Sequence, residues 1–395
     1  MVVPVMPPAF SGAGRRACLM AQAFAQRGHK VLVLTHTAAT PRTGEGGVEV
    51  APLRSWRFRN TFPKRHPLRA PTAAAAAAST VVEARSALRR FRPDVVLQVG
   101  CDFGPQLSGF AAQTLGLPLV SEMTLLGSDD VTTIRSGPRA GFRMRVLRRS
   151  AAVVGISPPL HATALAEGLE PSRCWVIANG VDTQHFRPAD VDERAQLRKA
   201  VGLPADAQII VSVGRISPRK GMLELARVFL DTVLPAASRA HLVLVGPYDS
   251  GCADAEYVRA VRQLADEASS RGRITLTSEV SDVAPWLRLA DVFAFASRAE
   301  GFPNALVEAM ACGLPMVAQP LDGTSRFIFG PDTMGTEIVT DDTAMGPALL
   351  RALECRHEPE KVAALQRRAV EHFSDERIVG QYLQLFEVLT SEQQR

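Results

Sequence analysis

Gln208-Ile-Ile-Val-Ser-Val-Gly-Arg-Ile-Ser-Pro-Arg-Lys-Gly221 decides the fold class. A β-branched run ends on Gly214, basic side chains occupy a short loop, and an amphipathic stretch opens at Gly221, which reads as strand, turn and helix. The pattern recurs in both directions. Upstream, strands are predicted at Val2 to Met6, Lys30 to Thr35, Val48 to Leu53, Asp94 to Val99, Leu117 to Ser121 and Ala152 to Ile156. Downstream they are predicted at His241 to Gly246, Arg273 to Leu276, Asp291 to Ala296 and Pro315 to Ala318. Helical patterns fill the gaps, among them Gly14 to Arg27, Thr72 to Phe91, Gly221 to Leu234 and Asp254 to Ser270. This alternation implies an α/β protein of two doubly wound, Rossmann-like domains.

The domain boundary is expected at Ala178-Asn-Gly-Val-Asp182, where Asn179-Gly180 offers an αL-tolerant turn and Pro188 stops further pairing. That gives domains at 1–178 and 179–373 and a last segment at 374–395, whose helix, Asp375 to Thr390, needs an apolar surface for Ile378, Tyr382, Leu385 and Leu389. The first strand reads as clipped, with an internal Pro4 close to Met1, which leaves room for a start further upstream.

The 395 residues suffice for two or three domains, and 46% apolar with 22% charged residues describes a globular chain rather than a disordered, fibrous or membrane-embedded one. The run Ala73 to Ala78 is too short to cross a bilayer, and no secretory signal is readable at the N-terminus, so a cytoplasmic location is expected. Six scattered cysteines without a C-x-x-C pair argue against a zinc knuckle, an iron-sulfur cluster or a disulfide framework, and are expected to be buried small hydrophobes.

Charge divides the chain. Residues 1–178 hold 22 Lys or Arg against 10 Asp or Glu, a net of +12, whereas residues 179–395 carry −7. The basic half has two clusters: Arg54, Arg57, Arg59, Lys64, Arg65 and Arg69 interleaved with Trp56, Phe58 and Phe62, then Arg135, Arg139, Arg143, Arg145, Arg148 and Arg149. Such clusters attract anionic lipid headgroups or an acidic substrate, or are simply solvated faces. No RNP, KH or helix-turn-helix signature points to nucleic acid.

Three segments bear on chemistry. Ser11-Gly-Ala-Gly-Arg15 lies between first strand and first helix, where helix-start amides can receive an anion. It also fits a loose G-x-G-x-x-A through Gly12, Gly14 and Ala17, but the second strand ends in Thr35-His-Thr37 without the ribose-binding carboxylate, which argues against hydride chemistry. In Gly214 to Gly221, Arg215 and Lys220 can both reach a diphosphate at the carboxyl edge of the sheet, with Arg219 read as solvated. In Ala299-Glu-Gly-Phe-Pro-Asn-Ala-Leu-Val-Glu308, Glu300 is placed on a loop and Glu308 one turn inside a helix with Pro303 in its first turn. Free amides of Gly301, Phe302 and Asn304 would point out of that helix start. Carboxylates beside cations suit a ligand with both hydroxyls and phosphates, which a nucleotide sugar has. Asp190-Val-Asp192 reads as a helix cap rather than a metal site, and no other metal set presents itself.

In this order the segments resemble a GT-B glycosyltransferase of the retaining family four. The resemblance is carried by Phe10 to Gly14, Ala25 to Val31, Asn179 to Asp182, Gly214 to Gly221, the Glu300 and Glu308 pair, and Ala309 to Pro315. It implies diphosphate contacts from Arg215 and Lys220, donor-sugar contacts from Glu300, ribose contacts from Glu308, and a base-receiving segment at Ser278-Glu-Val280. It also implies a cleft that closes over the donor and a last helix that crosses back to the first domain. Many relatives aim a histidine at the sugar after the fifth strand; here the stretch is Ser121-Glu-Met-Thr-Leu-Leu-Gly127, and Glu122 or Thr124 stands in that place. The reading is therefore a retaining, metal-independent transferase moving sugar from a nucleoside diphosphate to a hydroxyl acceptor, with catalytic Arg215, Lys220 and Glu300. Donor contacts are Gly12, Val280, Gly301, Phe302, Asn304 and Glu308, with Gly14, Glu122 and Thr124 on the acceptor or sugar side. No cofactor is expected, and the acceptor is anionic, lipid-linked or a small molecule, with peripheral membrane association. The alternatives are an epimerase or phosphorylase on the same fold, or a non-catalytic nucleotide-sugar-binding subunit.

Overall fold

A computed structural model describes residues 1–5, 12–36, 42–43, 47–63, 65–248, 254–267, 272–331, 336–355 and 358–393. The chain divides into two compact units, Met1–Gly180 together with Asp375–Arg395, and Val181–Ser374. Strands of the first unit are β1 (Val2–Val3), β2 (Val31–Thr35), β3 (Arg42–Thr43), β4 (Val48–Pro52), β5 (Val96–Val99), β6 (Leu119–Met123), β7 (Ala152–Gly155) and β8 (Cys174–Val176). They form one sheet in the order β3-β4-β2-β1-β5-β6-β7-β8, parallel except for β3. The second unit holds β9 (Gln208–Val213), β10 (Ala240–Val245), β11 (Ile274–Leu276), β12 (Val292–Phe295), β13 (Met316–Ala318) and β14 (Thr336–Ile338), all parallel, in the order β11-β10-β9-β12-β13-β14.

β-branched and aromatic residues buried on both faces make the central strands, as parallel sheets require. Every residue of β10 and of β12 is buried, and the second core gathers Ile210, Phe229, Leu242, Leu244, Val292 and Leu349. The short strands β3, β8 and β14 were not expected from sequence: two or three residues carry no period to read.

The last helix, Asp375–Gln393, belongs to the first unit, with Ile378, Tyr382 and Leu385 buried and Phe386 5.7 Å from Phe24 in the first helix. Among the described residues no helix is long and apolar enough to cross a membrane. At the boundary Gly180 does not take the left-handed turn expected of it; a Cβ there would lie 2.2 Å from Asp375 Oδ1, so close approach is what requires glycine. Cys101 and Cys312 are buried, Cys18, Cys174 and Cys355 only half-buried, and Cys252 lies outside the described residues.

Candidate functional site at the carboxyl edge of the second sheet

In the second sheet the strand order reverses between β9 and β12. Helices after these neighbours leave in opposite directions, so the loops 214–221 and 296–303 meet at one edge, where doubly wound sheets bind ligands. Glycines bring the loops together. Gly246, at φ +146°, stands where a Cβ would come within 2.1 Å of the Gly214 carbonyl, and Gly221, at φ +65°, within 2.3 Å of the Ala296 carbonyl.

Glu300 is the centre. Its side chain is 8% exposed; Oε1 accepts from Lys220 Nζ at 2.6 Å and Ser297 Oγ at 2.6 Å, and Oε2 accepts from Arg219 Nη1 at 2.8 Å. Burial alone would raise its pKa, but the Lys220 ammonium, with the Ser297 and Arg219 contacts, outweighs burial and holds the carboxyl below its usual value. Arg219 is 45% exposed, as expected of a solvated cation, yet it pairs with Glu300 and also donates to the Ala299 carbonyl at 2.6 Å. Nothing in the spacing signalled Arg219, whose partner lies 81 residues away in sequence; Ser297, three residues before Glu300 on the same loop, was missed although it lies close by.

Arg215, half-buried, lies on the same loop as Lys220, and Glu308, half-buried, on the helix Asn304–Ala311. Pro303 precedes that helix as its N-cap residue. Gly301 is buried, and the Phe302 ring packs 6.0 Å from Phe373, so that side chain is core. The Asn304 amide does not point outward as expected; it donates to the Phe302 carbonyl at 3.1 Å. Val280, half-buried, follows β11 at the same edge, where Thr277 Oγ1 accepts from the Gly246 amide at 3.2 Å. Asp190 caps the helix Val191–Ala200 by accepting from Glu193 N.

In the first unit, Gly12 and Gly14 fall inside the first turn of the helix Gly12–Gln26 rather than in a loop before it, and the preceding residues 6–11 lie outside those described. Glu122 is corrected to an interior post. It is fully buried on β6, pairs with Arg16 of the first helix and accepts from the Tyr382 hydroxyl of the last. A carboxylate so enclosed has no face left for sugar. Thr124, just beyond β6, is committed to Asp129, whose carboxylate accepts from Thr124 N and Oγ1, Leu125 N and Cys101 N at 2.6 to 3.0 Å.

Burial pushes Asp129 up to about 6, against those hydrogen bonds, which pull it down. The folded chain therefore keeps this proton longer than the unfolded chain does. The stability Asp129 contributes is fully present below about pH 4 and falls as pH rises through about 6, by about 3 kcal/mol. In urea denaturation the advantage of wild type over Asp129→Asn is expected to shrink between pH 4.5 and pH 7; a widening gap contradicts it.

The two arginine clusters, separate in sequence, meet at the start of the helix Phe103–Gln113. Arg59 stacks 4.5 Å over Trp56, Arg139 4.3 Å over Phe103, and the two rings are 6.1 Å apart. Buried His36, at the end of β2, sets its ring edge-on to Trp56. Arg143 is buried instead, holding Gln106 and the Cys101 carbonyl, and Arg135 pairs with Glu167. Phe58 remains 48% and Leu68 52% exposed.

Comparison with known proteins agrees with this architecture. Residues 10–185 match the model for Glycosyltransferase Family 4 and residues 207–355 that for Glycosyl transferases group 1. With two Rossmann-like sheets, the chain belongs to the glycosyltransferases of the GT-B fold. It is 30% identical over 284 residues to a D-inositol 3-phosphate glycosyltransferase of Thermobispora bispora, covering 68% of this chain and 63% of that one. The counterpart in Thermomonospora curvata is 31% identical over 285 residues, covering 68% and 64%. The chain thus spans just under two thirds of the length of these curated relatives. Similar solved folds include Anabaena Alr3699/HepE in complex with UDP, with TM-score 0.73 and 19% identity over 98% of each chain. Sucrose-phosphate synthase from Thermosynechococcus elongatus has TM-score 0.76 and 21% identity, covering 99% of this chain and 98% of that one.

Proposed function

We propose that this chain transfers a sugar from a nucleoside diphosphate to a hydroxyl acceptor, with retention at the anomeric carbon and no metal. The observation that carries this reading is the Lys220–Glu300 pair at the reversal point of the second sheet, a cation for phosphate and a carboxylate for sugar hydroxyls on adjoining loops. Support comes from relatives named as glycosyltransferases and from a fold neighbour solved with UDP.

As the bond from the anomeric carbon to the diphosphate breaks, charge builds on the leaving oxygen, and Arg215 and Lys220 offset it. The acceptor oxygen bonds to the same face of that carbon while its proton passes to the departing phosphate, so no protein base is obligatory. That fits the interior placement of Glu122. The first unit is read as the acceptor side, and its converging arginines suit an anionic acceptor, free or presented at an anionic membrane surface from the cytoplasm.

The test is turnover of UDP-, GDP- and ADP-sugars with and without EDTA. Slow release of nucleoside diphosphate without acceptor, unchanged by EDTA, is expected. Tight binding with no turnover under any acceptor overturns the enzyme reading, and loss of turnover in EDTA overturns metal independence.

A further inference from the structure

The three groups around Glu300 are not equivalent. Lys220 Nζ and Ser297 Oγ both reach Oε1, whereas Arg219 Nη1 reaches Oε2. A carboxylate oxygen offers two lone pairs, so Oε1 is filled and Oε2 keeps one for an incoming hydroxyl. Arg219 is also fastened by its main chain: its carbonyl accepts from Arg298 N at 3.0 Å. Its Nη1 donates to the Ala299 carbonyl as well as to Oε2, so one guanidinium nitrogen ties the carboxylate to its own loop.

We propose that Arg219 is a positioning residue that sets the sugar specificity of this site. It aims Oε2 at one sugar hydroxyl and keeps Glu300 charged when Lys220 turns from Oε1 to a diphosphate. This rests on the donor-site reading given above. Arg219 itself touches the carboxylate and the loop, and the diphosphate is left to Arg215 and Lys220.

The test is calorimetric titration of wild type, Arg219→Ala and Arg219→Lys with UDP, GDP and ADP and with their glucose and mannose conjugates. Arg219→Ala is expected to bind the bare diphosphate within about twofold of wild type but the sugar conjugate about tenfold more weakly, with discrimination between glucose and mannose reduced. Arg219→Lys restores part of the loss. The acid limb of kcat/KM moves to higher pH in Arg219→Ala, because Glu300 loses one of the cations that hold its pKa down. Equal weakening of diphosphate and conjugate overturns the proposal, as does unchanged binding of both. If wild type binds none of the panel, the donor-site reading itself falls and takes this proposal with it. If wild type favours conjugate over diphosphate and Arg219→Ala keeps that preference, only the role of Arg219 falls.

Discussion

Replacing Glu122 by Ala is expected to destabilise the protein by about 3–5 kcal/mol, because it strands the Arg16 guanidinium in the interior without its counter-charge. Arg16 is 6% and Tyr382 0% exposed, so water cannot replace the missing carboxylate without opening the packing between the first and last helices. Burial pushes the Tyr382 phenol well above its usual pKa, so it stays neutral and would be left as a second unpaired group. Removing the whole set is a different matter. The triple change Arg16→Met, Glu122→Leu and Tyr382→Phe fills similar volume with apolar atoms and is expected to recover most of the loss, since a buried ion pair gains little over a well-packed apolar cluster. Urea denaturation of the three proteins is the check. A single variant within about 1 kcal/mol of wild type would show that Glu122 is not holding a buried charge.

Lys220→Ala is expected to lower turnover by about a hundredfold, about 2.7 kcal/mol in the barrier, with Arg215→Ala similar, as for removal of a preorganised donor to developing charge. The fold tolerates the change. Lys220 lies at the edge rather than in the core, and Glu300 retains Ser297 and Arg219, so no carboxylate is orphaned. The melting temperature should therefore hold while kcat falls. Unchanged transfer kinetics in both variants would take these cations out of the mechanism.

Much of this architecture was legible because parallel strands buried on both faces spell themselves as β-branched runs. Each expected strand is found, with its ends moved by a few residues at most among those described. The loops after β9 and β12 were also legible, since a glycine at a strand end and a cation or acid before a helix are local signals. What escaped is tertiary. Glu122 looked like a polar residue beyond a strand, and only the arrival of Arg16 and Tyr382 makes it structural. Arg219 read as a solvated cation, and only the β12 loop folded against it gives it a partner. Asn179-Gly180 suggested a turn, whereas the actual constraint is room for Asp375.

The return of the last helix to the first unit has a consequence for synthesis. Glu122 and its phenolic partner are 260 residues apart, with the entire second unit encoded between them. On the ribosome the first half must therefore wait, incomplete along that seam, until the helix Asp375–Gln393 is made. A nonsense mutation shortly after Ser374 would spare every residue of the second unit's sheet and damage the first unit.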